Sequence, residues 1–231
     1  MKNLHDALVE FVKIVNDKKY YEVKDNGSNK GLEEQFRLLA CNFLYGGYIS
    51  VSDRYRIYIR TIEFYFHCKL EGEQYIHDPG MYHRNDFTRK TIEKCPSYFP
   101  IGALNLHWSG VDITFEKLDV FRASALIRRF DVYDPSTGRW HNNERRSTYI
   151  YRYLQQGATL LDGLNIRWVD DCTDCGYDLK GEDWFDVTAR VNMVRWERKD
   201  GDWAKSISPD GKTYISDMRQ WSYARKYSPQ L

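Results

Sequence analysis

A surplus of either charge is missing from this chain. Its 231 residues carry 34 Lys and Arg against 33 Asp and Glu, a formal net charge of +1. A general polyanion binder shows a clear basic excess. This chain therefore either does not bind nucleic acid or binds it through a local patch. Long apolar runs are also missing. None approaches 18 residues, so no segment is read as spanning a membrane, and Met1–Glu10 is polar and amphipathic rather than signal-like. The five cysteines, with no leader-like segment, point to a reduced cytoplasmic setting. There is no internal repeat, no low-complexity block and no Gly/Ser linker. A Gly-rich phosphate loop and a Gly-x-Ser-x-Gly elbow are absent, which removes the chemistries built on them. Cys172–Cys175 form one Cys-x-x-C pair, but Cys41, Cys68 and Cys95 are isolated. A structural zinc needs a second pair, so two loop thiols are the expectation. His77, Asp78, His83 and Asp86 share one loop without a tetrahedral spacing, so neither metal nor cofactor is expected.

What is present is aromatic. About 42 % of residues are apolar and 16 % aromatic, with 18 Tyr and 7 Trp. Tyr and Trp bury a large apolar body and keep a polar tip, which suits cores with wet edges or ligand pockets. Leu4, Leu8, Phe11, Val12 and Val15 fall on one helical stripe. Leu32, Phe36, Leu39, Cys41 and Phe43 mark a second helix, stopped by Gly46-Gly47. RYRIYIRTIEFYFH, residues 54–67, reads as a strand. Residues 69–100 hold turn formers and little periodicity, a long ordered loop of the kind where function tends to sit. ALNLHWSGVDITFE reads as a strand interrupted at Ser109-Gly110, and FRASALIRRFDVY as a strand followed by a DPSTG turn. NNERRSTYIYRYLQQGATLL reads as a helix. DVTARVNMVRW reads as a strand leading to a hairpin turn at Asp200-Gly201. The tail from Tyr214 shows little period. These elements predict one α+β domain over residues 1–231, with helices in 1–50 packed on a sheet-containing core in 51–200 that holds the site. A division near Asn142–Asn143 is the second choice.

Glu63 is the residue out of place. Strict alternation groups it with Ile57, Ile59, Thr61, Tyr65 and His67, and sets Arg56, Tyr58, Arg60, Ile62, Phe64 and Phe66 on the other face. Both faces are largely apolar around it, so burial is predicted. An unpaired buried carboxylate is costly. It is tolerated in an ion pair, with an arginine such as Arg60 or Arg128, or in a functional site. The residues alone leave both open. RWHNNERRSTYIYRY interleaves Arg139, Arg145, Arg146 and Arg152 with Trp140, Tyr149, Tyr151 and Tyr153. That pattern suits a nucleic-acid patch, and equally a solvated helix face with buried tyrosines.

The order of pieces carries more. FLYGG, YRIYIRTIEFYFH, a His-containing loop with HRND, PIGALNLHWSGVDITFE, ASALIRRFDVY and VTARVNMVRW follow one another over roughly residues 36–200. This resembles the alkyladenine (3-methyladenine) DNA glycosylase family. There a GRIVETEAY strand precedes a loop with a His and an Arg-Asn pair, then a strand ending in Tyr-Gly, an LLRALEP strand and a late ARVGV-like strand. The resemblance implies that family's curved mixed or antiparallel sheet flanked by helices. It implies hydrolysis of an N-glycosidic bond that excises a damaged purine, with Glu63 activating water and Arg128 helping to hold it. Tyr65 and His77 would contact the flipped base, His107 and Asp112 would line the pocket, and Trp108 is nearest to the wedge that fills the vacated stack. DNA or a nucleotide-like small molecule is the implied partner, with no cofactor. The Tyr-Gly pair has become Ser109-Gly110, and the basic surface is thin. A non-catalytic module binding a nucleotide-like ligand on the same fold is the alternative. An interaction protein with Glu63 in a structural pair is a third.

Overall fold

The structure is a computed structural model, and it describes residues 3–20, 29–68, 76, 78, 81, 98–144, 146–161, 163–171, 184–190, 193, 195–199, 202–214 and 217–226. Two capped helices open it. Helix α1 spans Leu4–Ile14, and its Asn3 side chain accepts the Asp6 N–H. Helix α2 spans Lys30–Tyr45, and its Asn29 side chain accepts the Leu32 N–H. Both caps satisfy a donor that a helix start leaves orphaned. The predicted apolar stripes are buried on both helices. Gly46 ends α2, and strand β1 (Gly47–Val51) begins at once. A Cβ on Gly47 would lie 2.0 Å from the Val169 carbonyl oxygen, so only glycine permits this approach.

The sheet is curled into a half-barrel. Its strands are β1, β2 (Tyr55–Cys68), β3 (Leu104–His107), β4 (Gly110–Thr114), β5 (Phe121–Asp134), β6 (Arg139–Glu144), β7 (Ile166–Asp170) and β8 (Phe185–Thr188), followed by β11 (Ser222–Arg225). Strands β3-β4-β5-β2-β1-β7 lie in that order, β6 extends from β5, and β11 joins β2 to β8. Every pairing among the described residues is antiparallel, so the sheet is not mixed. Strands β9 (Trp196–Lys199) and β10 (Asp202–Lys205) form a separate antiparallel pair in which Lys199 faces Asp202, and the Asp200-Gly201 turn expected between them lies outside the described residues.

Helix α2 packs on β1, β2 and β11, and α1 packs on α2. The core between helices and sheet is aromatic. Phe36 stacks on Phe64 at 4.6 Å, Phe11 meets Phe115 edge-on at 5.0 Å, and Phe66 stacks on Phe121 at 4.9 Å. Offset and edge-on pairs add roughly 0.5–1.5 kcal/mol each beyond area burial.

Several sequence expectations change. Ser109-Gly110 is not a break in one strand. His107 pairs with Gly110, so the chain reverses there into a β3–β4 hairpin. Residues 139–144 form β6, and Asn142–Asn143 fall inside it. Helix α3 is only Ile150–Gly157, preceded by a short 3-10 turn at Ser147–Tyr149. The 186–196 stretch is two strands, β8 and β9, not one. The polar tail contributes β11, because its residues find partners on β2 and β8 that no local period reveals.

Candidate functional site

Strands β2 and β5 pair along almost their whole length, and each carries an irregularity at one place. Ile59 faces Phe130 and Ile62 faces Ile127, while Thr61 faces Arg129. Arg60 and Arg128 are thus extra residues, one in each strand. A bulge breaks the alternation of faces. Ile57, Ile59, Ile62, Phe64 and Phe66 all lie in the core under the helices. Their partners Ala123, Ala125, Ile127, Phe130 and Val132 lie there too. Ile57 and Ile59 therefore do not share a face with Glu63, as strict alternation had it. Glu63 and Tyr65 stand on the outer face, away from the helices, beside Leu126 and Ser124.

The bulge brings Arg128 to Glu63. Arg128 Nε lies 2.7 Å from Glu63 Oε2, close but poorly aligned for a hydrogen bond. The Tyr65 hydroxyl donates to the same oxygen at 3.0 Å and accepts from Arg128 Nη2 at 3.2 Å. The Glu63 side chain is 1 % exposed and that of Arg128 28 %. Burial, and then the Glu63 charge, push the Tyr65 phenol above its ordinary range. Burial pulls the Arg128 guanidinium down, but Tyr65 and Glu63 outweigh it and hold it raised. Arg60 turns instead to Asp131, at 3.4 Å.

Asp112 follows on the same face. It pairs with Leu126, which pairs with Glu63, so two strand spacings separate the two carboxylates, about 10 Å. His107 Nε2 lies 3.3 Å from Asp112 Oδ2, and its Nδ1 accepts the Ser109 N–H. An accepting Nδ1 places the neutral ring's proton on Nε2, toward Asp112. The Tyr151 hydroxyl, from α3, takes the His107 N–H at 3.0 Å and braces the hairpin. Gly110 sits at φ +141°, and a Cβ there would meet Ser147 at 2.8 Å. At the hairpin tip Trp108 is 68 % exposed. His77 lies outside the described residues.

Sequence reasoning missed what stands behind Tyr65. Arg190 and Asp78 are fully buried and pair at 2.6 Å, and Arg190 also reaches Asp217 at 2.9 Å. Arg190 donates to the Phe64 carbonyl, and its guanidinium lies 4.6 Å from the Tyr65 ring and 4.9 Å from Trp221. Asp78 accepts the Phe66 N–H at 3.1 Å. Burial raises the Asp217 carboxyl but Arg219 and Arg190 outweigh it, and the group is held below its ordinary range. Ser222 pairs with Glu63, so the chain end reaches the site through β11. The available signal was Arg190 itself, a charge inside the apolar run VTARVN, the same anomaly as Glu63.

Among the described residues no group of three or more His, Cys, Asp or Glu is placed to hold a metal ion. Cys172 and Cys175 lie outside those residues. Among the described residues no helix is long and apolar enough to cross a membrane. The arrangement offers a carboxylate, a guanidinium and a phenol in mutual contact, with a carboxylate–imidazole pair across one strand. No family model, curated protein or solved structure matches this chain.

Proposed function

We propose that the chain hydrolyses an N-glycosidic bond, excising a damaged purine base from DNA or a nucleotide-like molecule. One observation carries the reading. Glu63, Tyr65 and Arg128, the positions that the glycosylase resemblance assigns to one site, are in mutual contact: Arg128 Nε and the Tyr65 hydroxyl lie 2.7 and 3.0 Å from Glu63 Oε2, and Arg128 Nη2 lies 3.2 Å from that hydroxyl.

The chemistry asked of them is simple. Arg128 and Tyr65 orient the Glu63 carboxylate, and the carboxylate takes the proton of a water. The water oxygen then bonds to the sugar's anomeric carbon as the carbon–nitrogen bond breaks, and the base nitrogen leaves with the electron pair. The sugar passes through an oxocarbenium-like state, which the carboxylate opposes with its charge. Arg128 holds the carboxylate in place. His107 and Asp112 present a polar edge to the base, and exposed Trp108 at its hairpin tip suits the wedge.

A second reading rests on burial. Glu63 is sealed while Arg128 reaches outward. On that basis Arg128 is the ligand contact, Glu63 its anchor, and the chain binds a nucleotide-like ligand without turnover. The test is base release by the wild-type protein from alkylated DNA and from free nucleosides, run beside melts with purine nucleotides. Released base supports the hydrolase. No release, with a melting temperature raised by the nucleotide, moves the conclusion to the binding module.

A further inference from the structure

The aromatic–arginine motif around Trp140 plays no part in the Glu63 cluster. Its place in the sheet gives it another use. On the outer face Trp140 pairs with Tyr133, Tyr133 with Arg56, Arg56 with Ser50, and Ser50 with Arg167. One row thus crosses five strands, from β6 to β7. Tyr58, also on this face, has its ring 5.4 Å from Trp140 and 5.2 Å from Tyr48, and Tyr133 lies 5.1 Å from Trp140. The Arg56 guanidinium sits 5.2 Å from the Tyr48 ring and 5.9 Å from Tyr133. Among the described residues Arg56 pairs with no carboxylate. Tyr58 is 5 % exposed, with the Arg56 side chain against its hydroxyl.

We propose that this aromatic–arginine face binds single-stranded nucleic acid beside the Glu63 site. The chemistry selects that occupant. An apolar partner would leave the Arg56 charge unanswered, and an acidic peptide would not use the ring faces. A duplex keeps its base faces stacked inside itself. A single strand offers flat bases for Tyr48, Tyr133 and Trp140, and phosphates for Arg56 and its neighbours. The face also runs into the candidate site. Tyr58 and Glu63 share it on β2, five residues apart with the bulge residue Arg60 between, about 13 Å. The charge is modest, because Arg60 is engaged by Asp131 and Arg167 by Asp53. Stacking therefore carries much of the affinity. With about two phosphates neutralised, log K should fall with log salt at a slope of about −1.4.

The test is fluorescence anisotropy with labelled deoxythymidine and uridine strands of roughly 12 nucleotides, within the usual single-strand site size, and a duplex of the same length. Binding of either single strand ahead of the duplex is expected. Trp140→Ala should weaken it about tenfold or more. Arg56→Gln, which leaves every ring in place, should weaken it and flatten the salt slope. Lys13→Ala, on α1 across the sheet, should change nothing. No binding to any strand, preference for the duplex, or full affinity in both Trp140→Ala and Arg56→Gln overturns the proposal. Glu63→Gln should still bind the strand. A wild type that binds it but releases no base counts against hydrolysis alone and leaves this face standing.

Discussion

The two faces of β2 answer to different physics. Its core face carries Ile57, Ile59, Ile62, Phe64 and Phe66 against the helices, all apolar and all buried. Its outer face carries Arg56, Tyr58, Glu63, Tyr65 and His67, with a bulge arginine from each strand between. Both faces are largely closed to water near Glu63. One is closed over carbon, where each group contributes in proportion to its area. The other is closed over charges, where nothing is gained unless each group is met by a partner. A sheet that needed only stability would have no use for the second arrangement, since apolar residues of similar volume are often as stable as a buried ion pair. The outer face of β2 is therefore where function is sought.

The largest effect expected from breaking this contrast is on turnover. Glu63→Gln keeps the shape and an acceptor oxygen but cannot take a proton, and loss of a general base costs about 10²–10⁴-fold. Base release should fall at least that far while the melting temperature moves little. A loss of about 3–5 kcal/mol in stability instead, the cost of orphaning a buried partner, would make the pair structural. Next comes the core face. Phe36→Ala removes the ring stacked on Phe64 and should cost about 3–5 kcal/mol by chemical denaturation, with ligand binding per folded molecule unchanged. A binding defect at constant stability would deny that the faces are separable.

Acid should act on the outer side. Burial raises the Asp78 and Asp217 carboxyls, but Arg190 and Arg219 outweigh it and hold both low. Their folded-state values lie below the unfolded ones. The stabilisation is therefore present above about pH 4 and is lost as pH falls from there through the folded values. Denaturation midpoints should drop in that window, and drop less in Asp217→Asn. A flat midpoint down to the acid limit would contradict the pairing. The smallest stability effect belongs to Trp108→Ala. At an exposed tip it should stay within about 0.5 kcal/mol, yet lower base release from duplex DNA more than from a free nucleoside. Equal loss on both substrates would remove Trp108 from the wedge role.

Much of this was legible along the chain, for identifiable reasons. The stripes of α1 and α2 and the runs of β2 and β5 are long enough for periodicity to show. Glu63 was legible as an anomaly, Arg128 as one of two arginines that could pair with it, and the resemblance added Tyr65. The face assignment of Ile57 and Ile59 failed because a bulge adds a residue that leaves no mark in composition. Strand β11 failed because its polar residues are strand-like only against β2 and β8. Arg190 and Asp217 were missed because a charge's partner lies far away in sequence, and only the folded chain brings the two together.

The paired extra residues also constrain how the gene can change. Removing the codon for Arg60 alone would let Thr61 follow Ile59 in plain alternation, with Ile62, Phe64 and Phe66 still in the core. Glu63 would still stand outward beside Leu126. Removing Arg128 alone would likewise leave both faces of β5 in place, but would take away the guanidinium that reaches Glu63. Losing both together would restore a plain ladder, again without that arginine. The two places therefore differ in what a deletion costs. A descendant of this chain can drop Arg60 and keep the cluster, but one that drops Arg128 loses it.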